Sequence, residues 1–280
     1  MPANASGNAD QPAAQRRDLK SSMEPANAGL AGSAALPSGA PSDDAACGDA
    51  EAAHPHGSFF GRRKGHRLRG RQADLIERLL PRLALDIGQA SPALGDLFDP
   101  PAAALRLEIG FGGGEHLIAE AEAFPGTGFI GCEPYVNGMA KLLTQIEARR
   151  IGNIRLFAGD AAELLAWTPP HALDRIDLIH PDPWPKRRHW KRRFVQDATV
   201  AAMARVLKPE GEFRFVSDVS DYCAWTLSHL MRSPDFTWTA DRASDWRLPW
   251  TGYTMTRYGS KATREGRAAA YLLFKRNRSR

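Results

Sequence analysis

Leu107-Glu108-Ile109-Gly110-Phe111-Gly112-Gly113-Gly114 is the stretch on which the reading of the fold turns. A short apolar run ends in closely spaced glycines, and a helical pattern begins at Glu115. Residues without a Cβ let the backbone approach a ligand, and the free N–H groups of the following helix point into the same space. A dinucleotide-binding loop needs a further glycine five positions after the first, and Glu115 stands there. Glutamates on both sides of the turn repel a pyrophosphate. They suit a ligand that carries an ammonium and a sulfonium. Taken alone, the stretch also reads as a plain tight turn between strand and helix.

Outward from this loop, apolar runs and amphipathic segments alternate. Leu105–Ile109, Gly128–Cys132, Ile154–Ala158, Ile176–His180 and Glu212–Val216 read as strands. Helices are expected from Glu115, through Lys141 to Ile146, over Ala198–Leu207 and over Tyr222–Leu230. Pro209-Glu210-Gly211 reads as a turn into the fifth strand, and Phe236–Thr239 and Ala269–Phe274 as strands that close the sheet. Upstream, Leu75, Ile76, Leu79 and Leu80 recur at helical spacing until Pro81 bends or ends that helix. The predicted fold is α/β, a mostly parallel seven-stranded sheet with helices on both faces. In such sheets ligands bind beyond the carboxyl ends of the strands.

Two further carboxylates fall at that edge. Glu133 ends the second strand, where it can accept from ribose hydroxyls. Asp160 ends the third, where it can accept from an adenine amino group or cap a helix. Three acids at three successive strand ends, with the glycine loop, resemble the class I SAM-dependent methyltransferases, a Rossmann-like fold.

The fourth strand leads into His180-Pro181-Asp182-Pro183-Trp184-Pro185-Lys186-Arg187-Arg188-His189-Trp190-Lys191-Arg192-Arg193. Prolines on both sides restrict the backbone and hold Asp182 at the mouth of the same edge. The basic run beside it suits phosphate binding next to a reacting base. Trp184 and Trp190 are open to two readings, stacking on an extruded base or packing.

The glycine stretch followed by Pro181-Asp182-Pro183-Trp184-Pro185-Lys186-Arg187-Arg188-His189 resembles the bacterial tRNA (guanine-N7-)-methyltransferase family, over roughly Gly61 to the C-terminus. The resemblance implies S-adenosyl-L-methionine (SAM) as cofactor, contacted by Glu108, Gly110, Gly112, Gly114, Glu133, Asp160 and Asp182. Asp182 would be the catalytic residue between cofactor and guanine. Lys186 and Asp218 would touch the RNA, as would Thr256-Arg257-Tyr258-Gly259, where glycine replaces the family's usual glutamate. From the basic run, Arg188, Lys191, Arg192 and Arg193 join the expected RNA-binding set. Competing readings are an exocyclic-amine nucleobase methyltransferase and a non-catalytic tRNA-binding protein. The single proline between Asp182 and Trp184 argues against the first, and the four acids against the second.

Bulk properties set the remaining bounds. The chain has 280 residues, 43% hydrophobic and 25% charged, with a formal net charge of +5, which leans toward an anionic partner. Residues 1–55 are rich in Ala, Gly, Ser and Pro and are expected to form a disordered tail, with the methyltransferase domain over 56–280. Cys47, Cys132 and Cys223 show no metal spacing and fit a reducing cytoplasm. No metal, secretory signal or membrane span is expected, and the expected assembly is a monomer or homodimer.

Overall fold

Residues 60–61 and 63–278 are described in a computed structural model; the expected N-terminal tail and Arg62 lie outside the described residues. Seven strands form one sheet: β1 (Ala104–Ile109), β2 (Thr127–Cys132), β3 (Ile154–Phe157), β4 (Leu173–Ile179), β5 (Leu207–Ser217), β6 (Phe236–Trp238) and β7 (Ala270–Arg276). Their order is β3-β2-β1-β4-β5-β7-β6. The first five run parallel, and β7 pairs antiparallel with both β5 and β6. The strand order reverses at β1 and β4, which opens a crevice beyond their carboxyl ends.

The helices are α1 (Gly70–Arg78), α2 (Leu80–Leu83), α3 (Glu115–Ala123), α4 (Val136–Arg149), α5 (Ala161–Trp167), α6 (Asp197–Val206), α7 (Ser220–Arg232), α8 (Ser244–Arg247) and α9 (Arg257–Arg264). Each face of the sheet has its own core. Leu75 of α1, Leu117 and Ile118 of α3 and Met139, Leu142, Leu143 and Ile146 of α4 pack on Phe129, Ile154 and Leu156. On the other face Leu164, Leu165, Val200, Met203, Tyr222 and Leu230 cover Leu107, Ile176, Phe213, Phe215 and Phe274. Burial on both faces explains why the strands read as continuous apolar runs.

A buried charge network fixes α3 against the sheet. Arg106 Nη1 donates to Glu120 at 2.7 Å, Arg175 also pairs with Glu120, and Arg175 Nε reaches Asp177 at 2.8 Å. Because breaking such a set leaves an unpaired buried charge, it ties the helix to one register.

One local reading changes, and another is decided between its two expected outcomes. The turn expected at Pro209–Gly211 lies within β5 as a bulge, since Leu207 pairs with Leu173 and pairing resumes at Glu212 with Arg175. Glu210 there has φ +64°, and a Cβ on Gly211 would lie 2.8 Å from the Lys208 carbonyl oxygen. Pro81 falls in the first turn of the short α2, so the helical pattern breaks at Leu79 rather than bending.

Gly131 of β2 faces α3, where a Cβ would lie 2.7 Å from Leu117 and 2.9 Å from Phe111. Gly131→Val is therefore expected to cost about 1–3 kcal/mol by overpacking. Gly126→Ala, with nothing within 4 Å of the added carbon, should be near neutral. Denaturant melts of the two variants check the contrast.

Candidate active site

The glycine loop leaves β1 through left-handed backbone, with φ +71° at Gly110, +57° at Gly112 and +81° at Gly114. Only glycine adopts this conformation without strain. The Gly110 N–H donates to the Cys132 carbonyl (2.8 Å), holding the loop to the end of β2. Glu133, buried at that end, completes the clamp. Its Oε2 accepts from the Gly112 N–H at 2.8 Å and its Oε1 from the Tyr135 N–H at 2.9 Å. A carboxylate has further lone pairs, so Glu133 can brace the loop and still receive hydroxyl donors.

Glu108, 4% exposed, is bonded to the imidazole of His116 at 2.8 Å. Burial works against a charge on His116, but the adjacent Glu108 carboxylate overrides it and holds the imidazole up to about 9. Burial raises the Glu133 carboxyl, opposed by its two backbone hydrogen bonds, and the charges of Asp182 and Glu108 push in the same direction as burial. These acids feel one another across a common space, which a cationic ligand would relieve. Asp160 caps α5, its Oδ1 accepting from the Ala162 N–H at 2.9 Å. The helix-cap reading of Asp160 is thus realised at the same strand edge.

Asp182 stands exposed beyond β4 and, among the described residues, accepts no hydrogen bond. Partial loss of water around it raises its carboxyl above the usual range. Its backbone is held from both sides: His180 and Trp184 sit at φ +49° and +42°, uncommon for residues with side chains and a mark of strain held by the surroundings.

The restraint comes from Arg193. Its side chain is fully buried, with the guanidinium 4.9 Å from the ring centres of Trp190 and Tyr222 and 5.3 Å from Trp225. Arg193 Nε donates to the Pro183 carbonyl at 3.0 Å, and an ion pair joins it to Asp221. An RNA contact expected from its place in the basic run does not fit this position; aromatic packing has drawn it inside. Trp190 is likewise packing, edge-on to Trp225. One face of Trp184 carries the Arg192 guanidinium, which also lies over Phe60. Lys186, Arg187, Arg188 and Lys191 remain exposed, on a 3-10 helical turn over Arg187–Arg192.

The C-terminal segment closes over the same mouth. Thr256 caps α9, its hydroxyl accepting from the Gly259 N–H. Arg257 donates to the Tyr258 hydroxyl at 2.9 Å, and the Tyr258 ring reaches within 3.5 Å of where a Cβ of Gly112 would lie. Asp218, at the end of β5, accepts from Arg267 Nε at 2.6 Å and meets His180 Nδ1 at 3.3 Å. Glu265 pairs with Arg267 and Lys261 at the far end of α9, away from the position of Gly259. The early basic stretch is partly docked: the Arg63 carbonyl accepts from the Val136 N–H, and Asn137 bonds both Gly65 and His66.

The structure brings the glycine loop, Glu108, Glu133, Asp160 and Asp182 to one strand edge and adds the Thr256–Gly259 turn and Asp218. Sequence reasoning missed His116, His180 and Arg267. The only signal for His180 was its place at the end of an apolar strand. No group of residues that could hold a metal ion is present among the described residues, and none of their helices is long and apolar enough to cross a membrane.

The pairing of His116 with Glu108 stabilises the protein fully below about 6.5 and is lost as pH rises through about 9, because the folded-state value lies above the unfolded one. Chemical denaturation from pH 6 to 10 should show that decline, and His116→Gln should abolish it.

Comparison with known proteins places the chain. Residues 102–272 match the family described as "Putative methyltransferase". A tRNA (guanine-N(7)-)-methyltransferase of Rhodopseudomonas palustris (strain BisB18) is 73% identical over 229 residues, covering 81% of this chain and 91% of its own. The enzyme of that name from Nitrobacter winogradskyi is 74% identical over 228 residues (80% and 88%), and that from Bradyrhizobium diazoefficiens 74% over 221 (79% and 94%). With the glycine loop, the strand-end acids and the Asp182 segment in place, the chain belongs to the SAM-dependent tRNA (guanine-N(7)-)-methyltransferase family.

Proposed function

We propose that this chain transfers the methyl group of SAM to N7 of a guanine in the variable loop of tRNA, acting in the cytoplasm as a monomer or homodimer. The observation that carries the reading is the placement of Asp182. It is an exposed carboxylate without a protein partner among the described residues, between an acidic cofactor edge and an exposed basic turn.

SAM supplies an electrophilic methyl group: the guanine N7 lone pair forms the new C–N bond as the C–S bond breaks, and sulfur keeps the electron pair. N7 bears no proton, so no general base is required and positioning carries much of the catalysis. Glu108 would meet the cofactor's ammonium, Glu133 its ribose hydroxyls and Asp160 its adenine amino group. The backbone of Gly110, Gly112 and Gly114 gives the close approach. Asp182 orients the guanine and offsets the positive charge that develops on the ring. Lys186, Arg188 and Lys191 take tRNA phosphates, with Arg192 bracing Trp184 beside them. Asp218, Thr256, Arg257 and Tyr258 form the opposite wall of the substrate site.

The direct test is methyl transfer from labelled SAM to unmodified tRNA transcripts, followed by nucleoside identification; label in 7-methylguanosine is expected, and label in an exocyclic-amine product would replace this reading. Asp182→Asn should lower turnover by at least about a hundredfold, with cofactor affinity by calorimetry little changed. Lys186→Ala, Arg188→Ala and Lys191→Ala together should weaken tRNA binding and flatten its dependence on salt, the slope falling by roughly one for each phosphate no longer neutralised. Filter binding across a salt series measures it.

A further inference from the structure

We propose that His180 reads the target base, its Nε2 accepting a hydrogen bond from the guanine edge that carries N1–H and the 2-amino group. The inference rests on the guanine-N7 reading of the site.

His180 is the first residue beyond β4 and stands two positions before Asp182, in left-handed backbone at φ +49°. Its side chain is 4% exposed. Nδ1 faces Asp218 Oδ1 at 3.3 Å, and Asp218 is in turn fixed by Arg267 Nε at 2.6 Å. A carboxylate accepts only, so the ring proton sits on Nδ1 and the Nε2 lone pair is left as an acceptor. Burial lowers the tendency of His180 to protonate, against the pull of Asp218, which keeps that lone pair available.

Among the described residues Nε2 is buried and has no hydrogen-bond partner. An unpaired buried acceptor calls for an explanation, and its place beside Asp182 and Gly259 points to a ligand. Gly259 packs beside it: a Cβ there would lie 3.2 Å from Nε2 and 2.5 Å from the Met255 side chain that covers this position. The neighbouring atom there is the sulfur of Met255, a flexible side chain that is 46% exposed and can swing outward when a base enters. Asp182 follows two residues along the same loop, and the Thr256–Gly259 turn brings Gly259 against the ring.

The chemistry of the purines decides what fits. Guanine offers two adjacent N–H donors on its Watson–Crick edge. Adenine offers a lone pair at N1 and no 2-amino group. A neutral imidazole acceptor pairs with the first and opposes the second, and sites with a fixed buried acceptor reject partners that leave it unpaired.

The test is a cycle between the protein and the base. tRNA transcripts assembled with guanosine, inosine (no 2-amino group) or 2-aminopurine riboside (no N1–H) at the methylated position are compared in wild type and His180→Phe. Wild-type kcat/KM should fall roughly tenfold or more for at least one analogue. His180→Phe should lose a similar factor on guanosine and show no further loss on that analogue, with SAM binding by calorimetry unchanged. Equal discrimination in the variant, or a wild type indifferent to both analogues, overturns the assignment. If the phenyl ring disturbs the loop, seen as lost SAM binding, His180→Gln replaces it. Its amide oxygen should preserve part of the discrimination, and a SAM-binding Gln variant with none overturns the assignment equally. A wild type that methylates no guanine fails the guanine-N7 reading itself, a different result from an active enzyme with no coupling.

Discussion

The guanidinium of Arg193 is the interaction on which the active geometry depends. A cation taken out of water carries a large penalty, offset by partners for its charge and protons. Three aromatic rings, the Pro183 carbonyl and Asp221 supply them here, and Nη1 has no acceptor among the described residues. The residues involved come from the loop that carries Asp182, from the turn after it and from α7. Once Arg193 is seated, the Pro181–Trp184 backbone has little freedom left, and left-handed conformations at His180 and Trp184 persist that would relax elsewhere. Asp182 is thereby presented to solvent by a loop anchored in the core.

A second clamp works on the cofactor side by the same logic with the charge reversed. Glu133 commits one lone pair of each oxygen to backbone amides of Gly112 and Tyr135, which fixes the glycine loop to the start of α4. Glu108 is fixed by His116. Glu108 is thus paired with a cation, whereas Glu133 is held by backbone amides alone among the hydrogen bonds of the described residues and keeps lone pairs for a further donor. The basic residues lie one loop further out, where a phosphate backbone can run. The partition of charge across a few residues thus separates an acidic strand edge from a basic turn.

Much of this was legible in the sequence. Buried strands with short apolar runs declare themselves, and the glycines at 110, 112 and 114 mark a backbone that no other residue adopts easily. The strand-end acids followed from that register. What was not legible depends on packing between distant residues. Nothing in Lys191-Arg192-Arg193 distinguishes the residue that turns inward; the choice is made by Tyr222 and Trp225 on α7. The bulge in β5 reads locally as a turn, because pairing across Leu173 and Leu207 is a property of the partner strand. The short α8 and α9 carry few buried apolar residues, so they leave little periodic signal.

The same contrast bears on Gly259, where relatives in the family carry a glutamate by the sequence resemblance. From sequence, the absent carboxylate reads as one acceptor fewer for the substrate. In the fold, the position a side chain would take at Gly259 lies beside the buried Nε2 of His180, an atom already oriented through Asp218 and Arg267. A glutamate and a neutral imidazole nitrogen are both acceptors, and both suit a base edge made of N–H donors. On the proposal made for His180, the substitution changes which acceptor is offered to a purine while keeping the hydrogen-bonding sense of the site.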